Sequence, residues 1–262
     1  LLIVLATLLF SFNSSAQRYT SEVFSDVTVT HDIQYANNIT VITGSPTLEN
    51  LLMDVYEPTG DTETERPVVL VAHGGEYLPN PLNGLTYGEK SDSAVVHLCS
   101  SLAKRGFVAI AYQTRLGWNP TGSTQEIRTS TYLNAFYRTT QDGFSVIRYL
   151  RMDADSQGNT FGIDTTRIIS GGLGTGGQIS SAMAFLDRHE ELELPKFINP
   201  MTLQSYIDTS LSANVYGTLT RPLNIANNPS YSNELHFAFN LGGYVGDSSW
   251  IEPGAVPMVS LA

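Results

Sequence analysis

The sequence predicts one α/β domain: a mostly parallel sheet with helices on both faces, preceded by antiparallel strands. Three observations carry that expectation. From Pro67 onward, short apolar runs alternate with amphipathic stretches, the alternation a layered α/β sheet requires. The run 68–72 is continuously apolar, as in a strand buried on both faces. Ahead of it, 26–56 carries shorter alternating or apolar runs divided by turn residues, the pattern of antiparallel strands. With 262 residues, 42% of them hydrophobic and 15% charged, the chain has enough material for one sizeable core and little for two.

Taken in order, the chain opens on an apolar stretch, 1–10, and reaches Ser14, Ser15 and Ala16. This reads as a signal peptide over 1–16, lacking its start, with cleavage after Ala16. It implies a secreted or periplasmic protein whose domain occupies 17–262. Val27, Val29 and Ile33, then 39–42, then 51–56 are the expected antiparallel strands. The buried strand 68–72 runs into His73, Gly74 and Gly75. Ser91 or Asp92 can cap a helix with Val95, Leu98, Cys99 and Leu102 on its apolar stripe, and Lys104, Arg105 and Gly106 close it. The next buried strand is 107–111. Phe136, Phe144, Ile147 and Leu150 mark a second helix, weakened locally by Thr139, Thr140 and Gly143. A short strand, 167–170, leads into the glycine cluster 171–177, and Ile179, Ala182, Met183 and Leu186 then return at helical spacing. That places the cluster on a strand-to-helix turn. The stretch of about 190–234, rich in Pro, Asn and Ser, reads as an inserted cap or loop region. Strand signals return at 235–241 and 256–261.

Composition excludes several function classes. Cys99 is the single cysteine, so the chain is no disulfide scaffold and holds no thiolate metal site. A net charge of -11 repels a phosphate backbone and an anionic membrane face, so nucleic acid is not an expected partner. The opening apolar run is too short to span a bilayer and no other stretch is long enough. No cofactor is expected, and the sequence is silent on oligomeric state.

Two turns can carry chemistry. His73, Gly74 and Gly75 follow a buried strand directly, where glycine lets main-chain N–H groups approach a ligand, the geometry of an oxyanion hole. A tight turn with paired glycines and no chemistry fits the same residues. The second turn is Gly172, Leu173, Gly174, Thr175 and Gly176, between a strand and a helix. That is the setting of a nucleophile elbow, whose central residue projects at a helix N-terminus. Here the centre, Gly174, has no side chain. Gly172, Gly174 and Gly177 also match G-x-G-x-x-G, so a dinucleotide phosphate turn ranks second. Against it, such a turn should open the first strand unit and be followed, about twenty residues on, by an acidic residue. Glycines serving the turn alone are the third reading.

Four segments together resemble the secreted carboxylesterase and lipase branch of the α/β-hydrolase superfamily: LMDVYEP from Leu52, PVVLVAHGG from Pro67, RGFVAIAY from Arg105 and GIDTTRIISGGLGTGG from Gly162. Their order and spacing agree with the family over roughly residue 50 to the end. The resemblance implies oxyanion amides at Gly74, Gly75 and Thr175. It also implies that Gly174 stands where the family has its nucleophilic serine. Thr175 and Ser170 bear the nearest hydroxyls, but a residue that turns into the helix does not easily replace the elbow centre. The family's acid and histidine should follow the strand 256–261 and the strand after it. The chain ends at Ala262, so a C-terminally truncated domain is expected. His31, His73, His97, His189 and His236 all lie elsewhere, and Asp247 is a stand-in acid only if it is not simply a solvated loop residue. The resemblance implies an esterase-like hydrolase of low or absent activity acting on a small ester. The alternative is an exported, non-catalytic protein that grips an ester or carboxylate in the retained pocket.

Overall fold

The computed structural model describes residues 17–261; the expected signal peptide, 1–16, lies outside them. Seven strands form one sheet in the order β1-β2-β4-β3-β5-β6-β7. They are β1 (Val27–Thr40), β2 (Thr47–Pro58), β3 (Arg66–Ala72), β4 (Val108–Tyr112), β5 (Ile163–Leu173), β6 (Phe237–Leu241) and β7 (Met258–Leu261). β1 and β2 pair antiparallel, and β2 joins β4 antiparallel. From β4 across to β7 every pairing is parallel. The predicted class, mostly parallel with an antiparallel start, is the one observed.

Period-two alternation in β3 assigns each face its partner. Val68, Leu70 and Ala72 point into the cluster shared with helices α2 (Gln125–Ser156) and α3 (Thr175–Phe185). Val69 and Val71 point the other way, onto Val95, Cys99 and Ala103 of α1 (Ser93–Lys104). Helices therefore cover both faces, and β3 is buried throughout. Asp92 occupies the N-cap of α1, and Gly106 takes the left-handed conformation beyond its last turn, at φ 98°.

The elements depart from expectation where local signals mislead. The run 27–33 and residues 39–40 belong to one strand, because Gln34 and 36–38 between them stay paired with β2; the register slips at 30–33, where Asp32 has φ 56°, and at 34–36, as β-bulges do, and 41–42 fall beyond the strand. β5 begins well before 167 and its pairing with β3 continues to Gly172. β6 and β7 begin at Phe237 and Met258, each two residues after its predicted start. α2 runs unbroken through Gly143, where a Cβ would lie 2.4 Å from Met183 Sδ and 3.2 Å from the Tyr112 hydroxyl. The glycine lets α2 approach α3 and the sheet closely.

The segment 190–234 has three short helical turns, including Thr209–Ser212, and is otherwise irregular. Polar side chains of α2 hold its main chain. Arg148 donates to the carbonyls of Tyr216 and Asn227, Gln141 to those of Ser212 and Asn214, and the Tyr137 hydroxyl to that of Ala213. Irregular backbone against a helix needs such partners for its carbonyls, which is why so many polar residues of α2 are buried. No described helix is long and apolar enough to cross a membrane.

Candidate functional site

Both glycine turns leave the sheet at one edge. β3 and β5 are parallel neighbours in the register Ala72 to Gly172, so the turns that follow them emerge side by side at the carboxyl ends. β3 is succeeded by β4 on one side and β5 by β6 on the other. A parallel sheet opens its ligand crevice where successive connections diverge in this way.

The turn after β5 is compressed on both flanks and open at its centre. A Cβ on Gly172 would fall 2.2 Å from the carbonyl carbon of Gly176, and one on Gly176 would fall 2.1 Å from the carbonyl oxygen of Ala72. Neither position has room for a side chain. Gly174 has φ 57° and ψ -120°, a conformation that costs an L-residue free energy, yet a Cβ there would meet nothing within 4 Å. Its N–H donates to the Leu241 carbonyl at 2.8 Å, and its own carbonyl accepts from Gly177 and Gln178 as α3 begins. The bend is thus fixed by β6 on one side and the helix on the other.

The turn after β3 closes against it. A Cβ at Gly74 would sit 3.1 Å from the Leu173 carbonyl oxygen, so the two turns touch. Three consecutive residues then have positive φ: Gly75 at 109°, Glu76 at 57° and Tyr77 at 56°. The loop after β4 holds this bend, because Trp118 Nε1 donates to the Glu76 carbonyl and the Gly117 N–H to that of Tyr77, each at 2.7 Å. The buried Tyr77 hydroxyl donates to Gln178 Oε1 at 2.7 Å, tying the turn to α3, and Tyr132 shares that acceptor at 3.3 Å. Burial pushes the Tyr77 phenol well above its ordinary range, so it stays a proton donor. The N–H groups of Gly75, Glu76 and Thr175 have no hydrogen-bond acceptor among the described residues.

Between the turns lies a cavity of about 360 Å³ lined by Gly74, Gly75, Glu76, Tyr87, Gly174 and Thr175, with Asp92, Val95 and Leu173 also contributing. All four residues singled out from sequence, Gly74, Gly75, Gly174 and Thr175, face this one space. Sequence reasoning missed Tyr77, Tyr87, Trp118 and Gln178. Their contributions depend on contacts between distant segments, and no local motif marks them.

None of the five histidines lines this cavity. The buried His73 donates from Nδ1 to the Gly74 carbonyl at 2.6 Å, and its ring lines a separate space with Gln113 and Thr114. Burial lowers its pKa below the usual 6.5, so the imidazole is held neutral. His31 pairs with Asp54 at 3.1 Å, His189 lies 3.7 Å from Glu193, His97 is on α1, and His236 Nδ1 accepts from the Ile168 N–H at 3.2 Å. Ser170 is fully buried in β5 and donates to Met183 Sδ. Asp247 caps the turn Ser248–Trp250 and pairs with Lys196 at 2.5 Å, a structural use of that carboxylate. The dinucleotide reading meets an obstacle in chain order: β5 is the fifth strand of the sheet and not the first, and the next strand ends in Asn240 and Leu241 with no acid. Among the described residues no cluster of His, Cys, Asp and Glu could hold a metal ion.

No protein-family model matches the chain, and no curated protein matches it. Solved structures do. A bifunctional GH43-CE protein of Bacteroides eggerthii gives a TM-score of 0.50 at 19% identity, over 82% of this chain and 21% of its own. Thermogutta terrifontis esterase 2, in a form phosphorylated by paraoxon, gives 0.50 at 16% identity, over 90% of this chain and 70% of its own. The chain therefore spans about a fifth of the first protein's length and 70% of the second's. At these identities the likeness establishes the fold alone, an α/β-hydrolase-like one.

Proposed function

We propose that this is an exported, esterase-like protein whose cavity at Gly174 holds a small neutral ester and hydrolyses it slowly. One observation carries the reading. The centre of the bend has the backbone of a residue that presents a side chain, and open space for one, but it is glycine, while its flanks have no room even for a methyl group. The free N–H groups of Gly75 and Thr175, with Gly74 beside them, would receive the ester carbonyl oxygen and stabilise charge developing on it. Glu76 and Asp92 line the cavity and no Lys or Arg does, which favours a neutral ester over a free carboxylate. With binding and the amides alone, rate acceleration is limited to about a thousandfold or somewhat more over water.

A second reading, a non-catalytic binding protein, is favoured by the absence of any histidine from the cavity lining among the described residues. Hydrolysis of p-nitrophenyl acetate and butyrate separates the two. Slow turnover above buffer supports the esterase reading, and saturable binding without turnover supports the binding one. A turnover number near the usual enzyme value of about 10 per second would contradict both. Thr175→Pro deletes one amide at a first helical position, where proline is tolerated. Any residual turnover should then fall by about a hundredfold, and an unchanged rate would remove Thr175 from the site.

A further inference from the structure

A second cleft, of about 690 Å³, shares no lining residue with the cavity at Gly174. It runs between the β1–β2 turn, the loop 117–119, α2 and the segment 206–223. Its single cationic lining residue is Arg138, which is only 4% exposed. A buried guanidinium offers five N–H donors and cannot readily shed its charge, so it is costly unless those donors and that charge are met. At Arg138 they are not. Nη2 donates to the Gly117 carbonyl at 2.7 Å, Nε is buried without an acceptor, and no carboxylate forms an ion pair with it among the described residues.

The neighbouring arginines show what a satisfied site looks like in this protein. Arg115 is paired with the fully buried Asp142 at 2.8 Å and also donates to the Leu223 carbonyl and Gln141 Oε1. Arg148 donates to two carbonyls, Asn233 and the Ser145 hydroxyl. Asp142 is thus committed to Arg115, and burial, with the charge of Arg115 added to it, pushes Arg138 down to about 10. Glu49 is near enough to act on Arg138 but makes no ion pair with it.

We propose that Arg138 anchors a second ligand site, which takes a small monovalent organic carboxylate with an apolar body. The carboxylate would meet, at the cleft floor, a guanidinium whose charge no carboxylate pairs among the described residues, a charge-assisted contact of the stronger kind. Ile42, Trp118, Leu211 and Leu223 line the cleft and would cover the apolar part. Asp208, the one acidic lining residue, disfavours a multiply charged anion. The volume suits a ligand of this class. Arg138 also holds the Gly117 carbonyl, and the Gly117 N–H holds Tyr77 in the bend beside the first cavity, so an occupant touches the loop that shapes that bend.

Calorimetric titration of the protein with benzoate and hexanoate, against the neutral benzamide and hexanamide, tests the proposal. Both carboxylates should bind saturably and raise the melting temperature, with the amides at least about tenfold weaker. Arg138→Met should erase the preference for the charged form. Leu211→Trp narrows the cleft from its exposed rim without altering Arg138 and should weaken binding, so it decides the matter if Arg138→Met does not fold. The proposal fails if neither carboxylate binds by about 10 mM, if the amides bind equally well, or if Leu211→Trp leaves affinity unchanged.

Discussion

Substitution series at Gly174 and Gly176 should respond to side-chain size in opposite ways. At Gly174 the cost is conformational: φ 57° and ψ -120° cost an L-residue about 1–3 kcal/mol, and the lost freedom of the unfolded chain returns about 0.4–1 kcal/mol. The net for alanine is about 1.3 kcal/mol at mid-range, with bounds of about 0 and 2.6 kcal/mol. Because nothing lies within 4 Å of that Cβ, serine and leucine should cost about the same as alanine, within about 0.5 kcal/mol. At Gly176 the cost is steric, since the Cβ would lie 2.1 Å from the Ala72 carbonyl oxygen and 2.7 Å from that of His73. Main chain on the far side cannot swing away, so α3 must lift off β3. Alanine should cost about 3 kcal/mol or more, at or beyond the upper end of ordinary overpacking, and serine more again. Urea unfolding at constant m-value reads both series, and the Gly174 variants should melt about 2–8 °C below wild type. A Gly174 series that steepens with size, or a Gly176→Ala cost below about 1 kcal/mol, would refute the steric reasoning.

Other expectations follow from groups around the two turns. His73 has a folded pKa below its unfolded value of 6.5, so on acidification the unfolded chain takes up the proton first. The stability it contributes is complete above about pH 6.5 and is lost as the pH falls from there toward the folded pKa. The urea midpoint of the wild type should therefore drop between about pH 7.5 and 5.5 by more than that of His73→Gln, and equal drops would show that His73 is not held neutral. Asp142→Asn leaves the fully buried Arg115 without its ion pair and should cost about 3–5 kcal/mol in unfolding free energy; a cost under about 1 kcal/mol would mean the carbonyls around Arg115 suffice. Tyr77→Phe removes the donor to Gln178 and should cost about 1 kcal/mol, with no change at all indicating that the bend is held without it.

The parts of the fold that were legible in sequence are those whose environment is uniform. β3 is apolar on both faces because both faces are covered, and the glycines of the second turn stand out because Gly172 and Gly176 have backbone where a Cβ would be. The front of α2 was not legible. Its residues from Gln125 onward are mostly polar, and the buried Gln141 and Arg148 are stabilised by carbonyls of a segment some seventy residues away. Apolar periodicity does not register a helix face whose burial is satisfied by hydrogen bonds. The continuity of β1 was not legible for a similar reason, since the polar Gln34, Asn37 and Asn38 separate its apolar runs yet are paired with β2. At the site, the two turns were found from their glycines, whereas Tyr77, Trp118 and Gln178 act through contacts between distant segments and leave no spacing to read.

The most direct test of the elbow at Gly174 is thiol reactivity of the Gly174→Cys variant. Cys99 is fully buried and its thiol is pushed far up by desolvation, so the folded wild type should not react with Ellman's reagent. A cysteine at 174 would project into open space at the first turn of α3, where the helix N-terminus favours the thiolate. One rapidly reacting thiol in the native variant, with Cys99 released only on denaturation, is the expected result. A folded Gly174→Cys protein whose new thiol stays as unreactive as Cys99 would show that position 174 does not face the cavity.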